Sequence, residues 1–172
     1  EKYFKEFRAE LLELFRFPQN QINEASRKMQ DQICREQAVA VHVRRGDYLL
    51  PENNRKYGNI CTLQYYRNAM QYMKEKVSDA RFYFFSNDPE WVRENLSEGD
   101  SVIVNCNHGK ENYLDMYLMS QCSHNIIANS SFSWWGAWLN RNPDKIIVSP
   151  KRWFSHLDVS DAVCEDWIRI NG

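Results

Sequence analysis

Residues Ala38–Tyr48, AVAVHVRRGDY, constrain the fold of this chain more than any other stretch. The run Ala38-Val39-Ala40-Val41-His42-Val43 reads as a buried strand. It opens directly into Arg44-Arg45-Gly46-Asp47, which delivers cationic forks to the carboxyl end of a sheet. In open α/β folds that edge is where ligands bind. The stretch therefore points to a site for a polyanionic ligand, best matched by one that bears a pyrophosphate.

Four more strands are expected, at Arg81–Ser86, Ser101–Asn105, His124–Asn129 and Lys145–Ser149. Helices are expected between and before them. Phe4, Phe7, Leu11, Leu14 and Phe15 recur at helical spacing, so residues 1–16 read as an amphipathic helix. A polar surface helix with a thin stripe of Ile22, Met29 and Ile33 follows over Asn20–Glu36. Thr62 reads as the N-cap of a helix running to about Val77, with Tyr65, Ala69, Met70 and Met73 facing inward. Asp88-Pro89 sets a cap before a proline at the first helical position and starts a short helix over Glu90–Leu96. Glu111–Cys122 and Ser131–Asn140 complete the helices. Leu49–Cys61, with Pro51, Asn53, Asn54, Gly58 and Asn59, reads as a long loop. The tail, with Trp153, Phe154 and Trp167, is expected to fold back onto the domain.

Strands alternating with helices predict an α/β fold: a Rossmann-like parallel sheet with helices on both faces. The chain reads as one domain over residues 1–172, with a helical lead-in at 1–36 and an α/β core and tail at 37–172. The length suits one domain with a real core. Neither the Rossmann glycine fingerprint nor a Walker A loop is present, so any phosphate is held by another device.

Composition removes several classes. A hydrophobic content of 43% with 26% charged residues describes a globular chain. A net charge of −1 argues against nucleic acid as a partner. The 14% aromatic content occurs in proteins that hold sugars or bases, but a well-packed core accounts for it slightly better. Cys34, Cys61, Cys106, Cys122 and Cys164 are odd in number and contain no C-x-x-C pair. That favours free thiols in a reducing compartment over a zinc site or a disulfide scaffold. Cys122 sits in an apolar helical pattern as a small core residue. With no signal peptide or transmembrane run, the expectation is a cytoplasmic, bacterial-type protein, compatible with attachment at the periphery of the inner membrane. The chain does not start with Met, so it is expected to be a fragment or a processed product.

The candidate site has three parts. Adjacent side chains at an extended strand end point to opposite faces. Of Arg44 and Arg45, one then reaches a ligand while the other pairs with structure, with Asp47 a candidate partner; the alternative is two arginines holding a loop through salt bridges. His42 shares a face with Arg44, either as a ligand contact or as a hydrogen-bonded core histidine. The second part is Asn129-Ser130-Ser131-Phe132-Ser133, where a buried strand stops and a helix begins. Unpaired N–H groups beside hydroxyls make an anion site there, unless Ser130 or Ser131 is simply an N-cap. The third part is acidic. Asp88 reads most simply as an N-cap, and Asp115 lies among apolar residues, where a lone carboxylate is costly. A guanine edge or a structural salt bridge would each resolve that cost. The four histidines lack metal-ligand spacing, and no Ser-His-Asp arrangement is evident.

Three stretches carry a resemblance: His42-Val43-Arg44-Arg45-Gly46-Asp47-Tyr48, Phe85-Ser86-Asn87-Asp88 with Trp91, and Asp115 through Asn140. Together they resemble the α-1,2-fucosyltransferases of glycosyltransferase family 11. The resemblance implies the C-terminal, donor-binding half of a GT-B-like fold, GDP-fucose as donor, and the 2-hydroxyl of a galactose-type acceptor. It also implies inversion at the anomeric carbon with neither metal nor cofactor. Carried onto these residues, Arg44 would bind the diphosphate, His42 and Asp115 would sit near the guanine, and Asn129, Ser130, Ser131, Phe132 and Ser133 would contact phosphate. Arg45 and Asp88 complete the candidate binding set, and Asp47 is the nearest candidate for a general base. Such enzymes build their acceptor cleft with an N-terminal half, and this sequence is expected to begin after most of it. The alternatives are a non-catalytic nucleotide- or phosphate-binding module and a flavodoxin-like interaction domain with a structural Arg–Asp network.

Overall fold

The computed structural model describes residues 2–157 and 160–172. Strands β1 (Gln37–Val43), β2 (Ala80–Ser86), β3 (Val102–Val104), β4 (His124–Ile126), β5 (Ile147–Pro150) and β6 (Ile168–Ile170) form one sheet in the order β3-β2-β1-β4-β5-β6. Every neighbouring pair is parallel. The chain steps outward from β1 to β3 and then crosses back to the other side of β1. The connections leaving β1 and β4 therefore diverge, which opens a crevice at their carboxyl ends.

The helices are α1 (Arg8–Leu14), α2 (Glu24–Ile33), α3 (Pro51–Tyr57), α4 (Leu63–Lys76), α5 (Pro89–Asn95), α6 (Tyr113–Gln121) and α7 (Ser131–Trp138). Alternation along β1 sorts them onto two faces. Val39, Val41 and Val43 join a core with Tyr65, Tyr66, Ala69 and Met73 of α4 and Val92 of α5. Ala38 and Ala40 turn the other way, against Ile33 of α2 and Leu114 and Leu118 of α6. Each large buried side chain contributes roughly 1.5–3 kcal/mol, so both helix layers are anchored by the central strand. A third cluster joins Trp134, Ala137 and Trp138 of α7 to Ile147, Val163, Cys164 and Trp167, which brings the tail back onto the domain as expected.

Local chemistry sets the helix starts. Asn23 caps α2 by accepting from the Ser26 N–H at 2.8 Å, and Thr62 caps α4 by accepting from the Tyr65 N–H at 3.2 Å. Asp88 caps α5, ahead of Pro89 in its first turn. All five cysteines are free thiols, and Cys122 is buried. No helix among the described residues is long and apolar enough to cross a membrane.

Four expectations need correction. Leu49–Cys61 is not a plain loop. Its Pro51 starts helix α3, which ends at Gly58 after the ring of Tyr57 stacks on Tyr48 at 5.0 Å. The tail adds a sixth strand, because Ile168–Ile170 pairs with β5 in register Val148↔Ile168. β4 stops at Ile126, three residues short of Asn129. The first helix is shorter and opens with a 3-10 turn over Lys5–Phe7; Phe4 and Leu11 pack inward, while Phe7 and Leu14 stay exposed.

Candidate functional site

A cleft of about 500 Å³ lies at the carboxyl ends of β1, β2 and β3, bounded by the starts of α6 and α7. His42 and Arg44 reach it from β1, Asn87 from the end of β2, Asn107 from the loop after β3, Asp115 from α6 and Phe132 from α7.

His42 is buried and 5% exposed. Its ring lies 5.7 Å from that of Phe132. Burial first, and the Arg44 charge second, pull its pKa down to about 3, so the imidazole is neutral at ordinary pH. Its Nδ1 is buried and has no hydrogen-bond partner. An unsatisfied polar atom on a cleft wall is costly until a ligand meets it.

Arg44 points its fork into the same cleft, with a side chain 34% exposed, and pairs with Asp47 Oδ2 at 2.9 Å. Asp47 in turn accepts at its backbone carbonyl from Asn53 Nδ2 at 3.0 Å, so the pair is braced from α3. Its Oδ1 is buried and without a partner. The hydroxyl of Tyr48 donates to the Asn129 carbonyl at 3.0 Å and ties the loop after β1 to the loop after β4.

Asp115 is half-buried. Burial raises its pKa, while the hydrogen bond from Asn107 and the nearby His108 act the other way. Asn107 Nδ2 donates to Asp115 Oδ1 at 2.8 Å, and Asn107 Oδ1 accepts from Ser26 Oγ at 2.9 Å and from Asn23 Nδ2 at 3.2 Å. A chain of polar contacts thus runs from the N-cap of α2 to the carboxylate and fixes its orientation. α7 begins at Ser131 with no side chain capping it, so its first N–H groups are offered at the helix start beside a partial positive charge.

Several predicted site residues have other duties. Arg45 does not line the cleft: its Nε donates to Asp88 Oδ2 at 3.2 Å and its guanidinium lies 4.0 Å from the Trp91 ring. Asp88 accepts from the Trp91 N–H at 3.2 Å as the α5 cap. Beyond the end of β1 the backbone turns at Arg45 (φ −126°, ψ −71°), and its side chain clasps Asp88, whereas Asp47, the partner expected for the structural arginine, pairs with the cleft-side Arg44. Asn129 is buried, with Nδ2 donating to the carbonyls of Tyr57 and Trp153, both at 3.1 Å. Ser133 is also buried, and its hydroxyl donates to the Ala128 and Ser130 carbonyls at 3.3 Å. Ser130 is buried at the turn without acting as a side-chain cap. From Asn129–Ser133, what faces outward is the exposed Ser131 and the ring of Phe132.

Asn87 lies within the Phe85-Ser86-Asn87-Asp88 stretch but has no role assigned from sequence, and Asn107 lies outside every motif. Asn87 Oδ1 accepts from the Arg45 N–H at 3.0 Å. A Cβ on Gly46 would stand 2.3 Å from Asn87 Nδ2, which explains the glycine inside the arginine loop. Nothing in the sequence pattern flags Asn107, since its partners lie on α2 and α6.

Fold and site define a doubly wound α/β domain with a polar ligand cleft, holding Arg44 and Asp115, beside its topological switch point. The chain belongs to glycosyl transferase family 11, whose family profile matches residues 2–171. It is 38% identical to the alpha-1,2-colitosyltransferase of Escherichia coli over 99% of this chain and 59% of that protein. It is 36% identical to the O-antigen biosynthesis glycosyltransferase WbnK of Escherichia coli over 77% of this chain and 44% of that protein. The galactoside alpha-(1,2)-fucosyltransferase 1 of Ateles belzebuth is 37% identical over 59% of this chain and 28% of its own length. The chain thus spans about three-fifths or less of each of these relatives. A crystal structure of NodZ alpha-1,6-fucosyltransferase soaked with GDP-fucose overlaps 68% of this chain and 42% of its own, with a TM-score of 0.43 and 17% identity.

Proposed function

We propose that this domain is the donor-binding half of a GT-B-like glycosyltransferase that transfers L-fucose from GDP-fucose to the 2-hydroxyl of a galactose-type acceptor. The observation that carries the reading is the convergence of Arg44, His42, Asp115 and the uncapped start of α7 around one cleft region at the switch point.

The roles follow from chemistry. A guanine edge presents neighbouring N–H donors, which the partly free carboxylate of Asp115 accepts. The neutral His42 supplies its unpartnered Nδ1 to the nucleoside and, with Phe132, an aromatic wall. Arg44 meets the diphosphate with a bidentate fork that keeps its charge at any working pH. The N–H groups at the start of α7 meet the same anion. When the acceptor hydroxyl attacks C1 from the opposite side, the bond to the diphosphate breaks and the configuration inverts. The leaving GDP gains negative charge, and preorganised Arg44 stabilises it where other transferases use a metal ion. Asp47 holds Arg44 in position through Oδ2; its Oδ1, buried and without a partner, is the atom that would take a proton if Asp47 served as the base.

Calorimetric titration of GDP tests the reading. Wild-type protein binds, and Arg44→Ala lowers affinity about tenfold or more, the worth of a charge-assisted pair. Absence of binding, or an unchanged affinity in Arg44→Ala, rejects it. The Escherichia coli relative favours a second reading of the transferred sugar, colitose in place of fucose. Comparing turnover of the two donors, and the product linkage by NMR with and without a chelator, separates these readings and tests metal independence.

A further inference from the structure

A second groove, of about 660 Å³, opens on the same carboxyl edge of the sheet, at the ends of β5 and β6 and against the end of α3. It stands apart from the nucleotide cleft. Between the two run Tyr48, Tyr57 and Phe154, with ring centroids 5.0 Å and 5.4 Å apart in succession. The Arg44 guanidinium lies 5.7 Å from the Tyr48 ring, at the head of that series.

The groove walls are held by named bonds. The Lys151 N–H donates to the Ile170 carbonyl at 2.9 Å, the Ser155 N–H to the Lys56 carbonyl at 2.9 Å, and the Ser155 hydroxyl to the Gly58 carbonyl at 3.2 Å. Its charge is one-sided. Arg55, Lys151, Arg152 and His156 line it, and among the described residues no Asp or Glu does. Arg55 and Lys151 have no ion-pair partner among the described residues, and Arg152 bonds only the Ser155 carbonyl, at 2.9 Å. On a chain with 22 Lys and Arg and 23 Asp and Glu side chains, three Lys and Arg side chains and, among the described residues, no Asp or Glu around one groove make a concentrated positive field. Sugar hydroxyls are recognised by carboxylates, amides and ring faces. Cationic forks and ammonium groups recognise phosphate oxygens.

We propose that this groove is a second anion site, which takes a phosphate or diphosphate group carried by the acceptor. The assignment to the acceptor rests on the glycosyl-transfer reading above; the anion site does not. The layout puts the acceptor's anion on one flank of the ring series and the donor's diphosphate on the other, so the two charges do not compete for Arg44.

The test titrates inorganic pyrophosphate into protein already saturated with GDP. The expected result is a second equivalent bound, weakened about tenfold or more in Lys151→Ala/Arg152→Ala and regained in Lys151→Arg/Arg152→Lys. Arg55→Ala alone, on an exposed helix position, gives a smaller loss in the same direction and serves if the double variant does not fold. Arg44→Ala leaves this second equivalent intact. No pyrophosphate binding once GDP is present overturns the proposal. Retention on phosphatidylglycerol vesicles through the same cations, with pyrophosphate ignored, overturns it in favour of a membrane surface. Pyrophosphate binding that depends on Lys151 and Arg152 in a protein that ignores GDP overturns the acceptor assignment and, separately, the donor reading.

Discussion

His42 should make this domain acid-sensitive in a way that one substitution removes. The residue is 5% exposed and its folded pKa is pulled down to about 3, first by burial and then by Arg44. In the unfolded chain a histidine titrates near its ordinary value of 6.5. Between those two values the unfolded state binds the proton and the folded state does not. The stabilisation is therefore fully present above pH 6.5 and is lost as pH falls toward 3. The slope is about 1.4 kcal/mol per pH unit, so a drop to about pH 4.5 removes on the order of 3 kcal/mol. That is a large share of the roughly 5–15 kcal/mol typical of a domain. The assay is urea unfolding across pH for the wild type and for His42→Gln. Other titrating groups affect both proteins and cancel in the difference. The wild type should lose stability relative to the variant by about the stated slope below pH 6.5. Parallel curves would refute the reasoning, since they would mean that His42 protonates without cost in the folded protein.

Three further outcomes follow from the site. Gly46→Ala drives a Cβ to 2.3 Å from Asn87 Nδ2 and breaks its bond to the Arg45 N–H, so thermal melts should show about 1–3 kcal/mol of destabilisation. Asp88→Ala removes the α5 cap and the Arg45 partner together, costing about 1–2 kcal/mol in chemical denaturation. Its GDP affinity should stay within about threefold of wild type, because the clasp lies outside the cleft; a larger loss would return Arg45 and Asp88 to the binding set. Asp115→Asn replaces one acceptor oxygen with a donor and should weaken GDP about tenfold by calorimetry, with little change for inorganic pyrophosphate.

Much of the fold was legible because its strands are short apolar runs bounded by turn and capping residues. Ala38–Val43 and Arg81–Ser86 announce themselves, as do Thr62 and Asp88-Pro89 at helix starts. Period-two alternation was enough to put His42 and Arg44 on one face and Arg45 on the other. Pattern failed where partners are distant. Pro51–Tyr57 carries turn-like residues, yet it is helical, with Tyr57 stacked on Tyr48 and meeting Phe154. Three residues at Ile168–Ile170 become a strand only beside β5.

Residue types and their order, which depend on local sterics and hydrophobic period, determined the doubly wound domain and the cationic strand end. The pattern put Arg44 on the face of His42 and left open which arginine meets the cleft; the tertiary structure decided for Arg44. What each group touches was decided by tertiary structure alone: Arg45 by Asp88 and Trp91, Asn129 by two backbone carbonyls, Asp115 by Asn107. The basic groove is of the same kind, since Arg55 is remote in the chain from the adjacent pair Lys151 and Arg152. Hydrogen bonds and ion pairs act over a few ångströms in space, and distance in space between remote segments is set by packing, which sequence spacing does not encode.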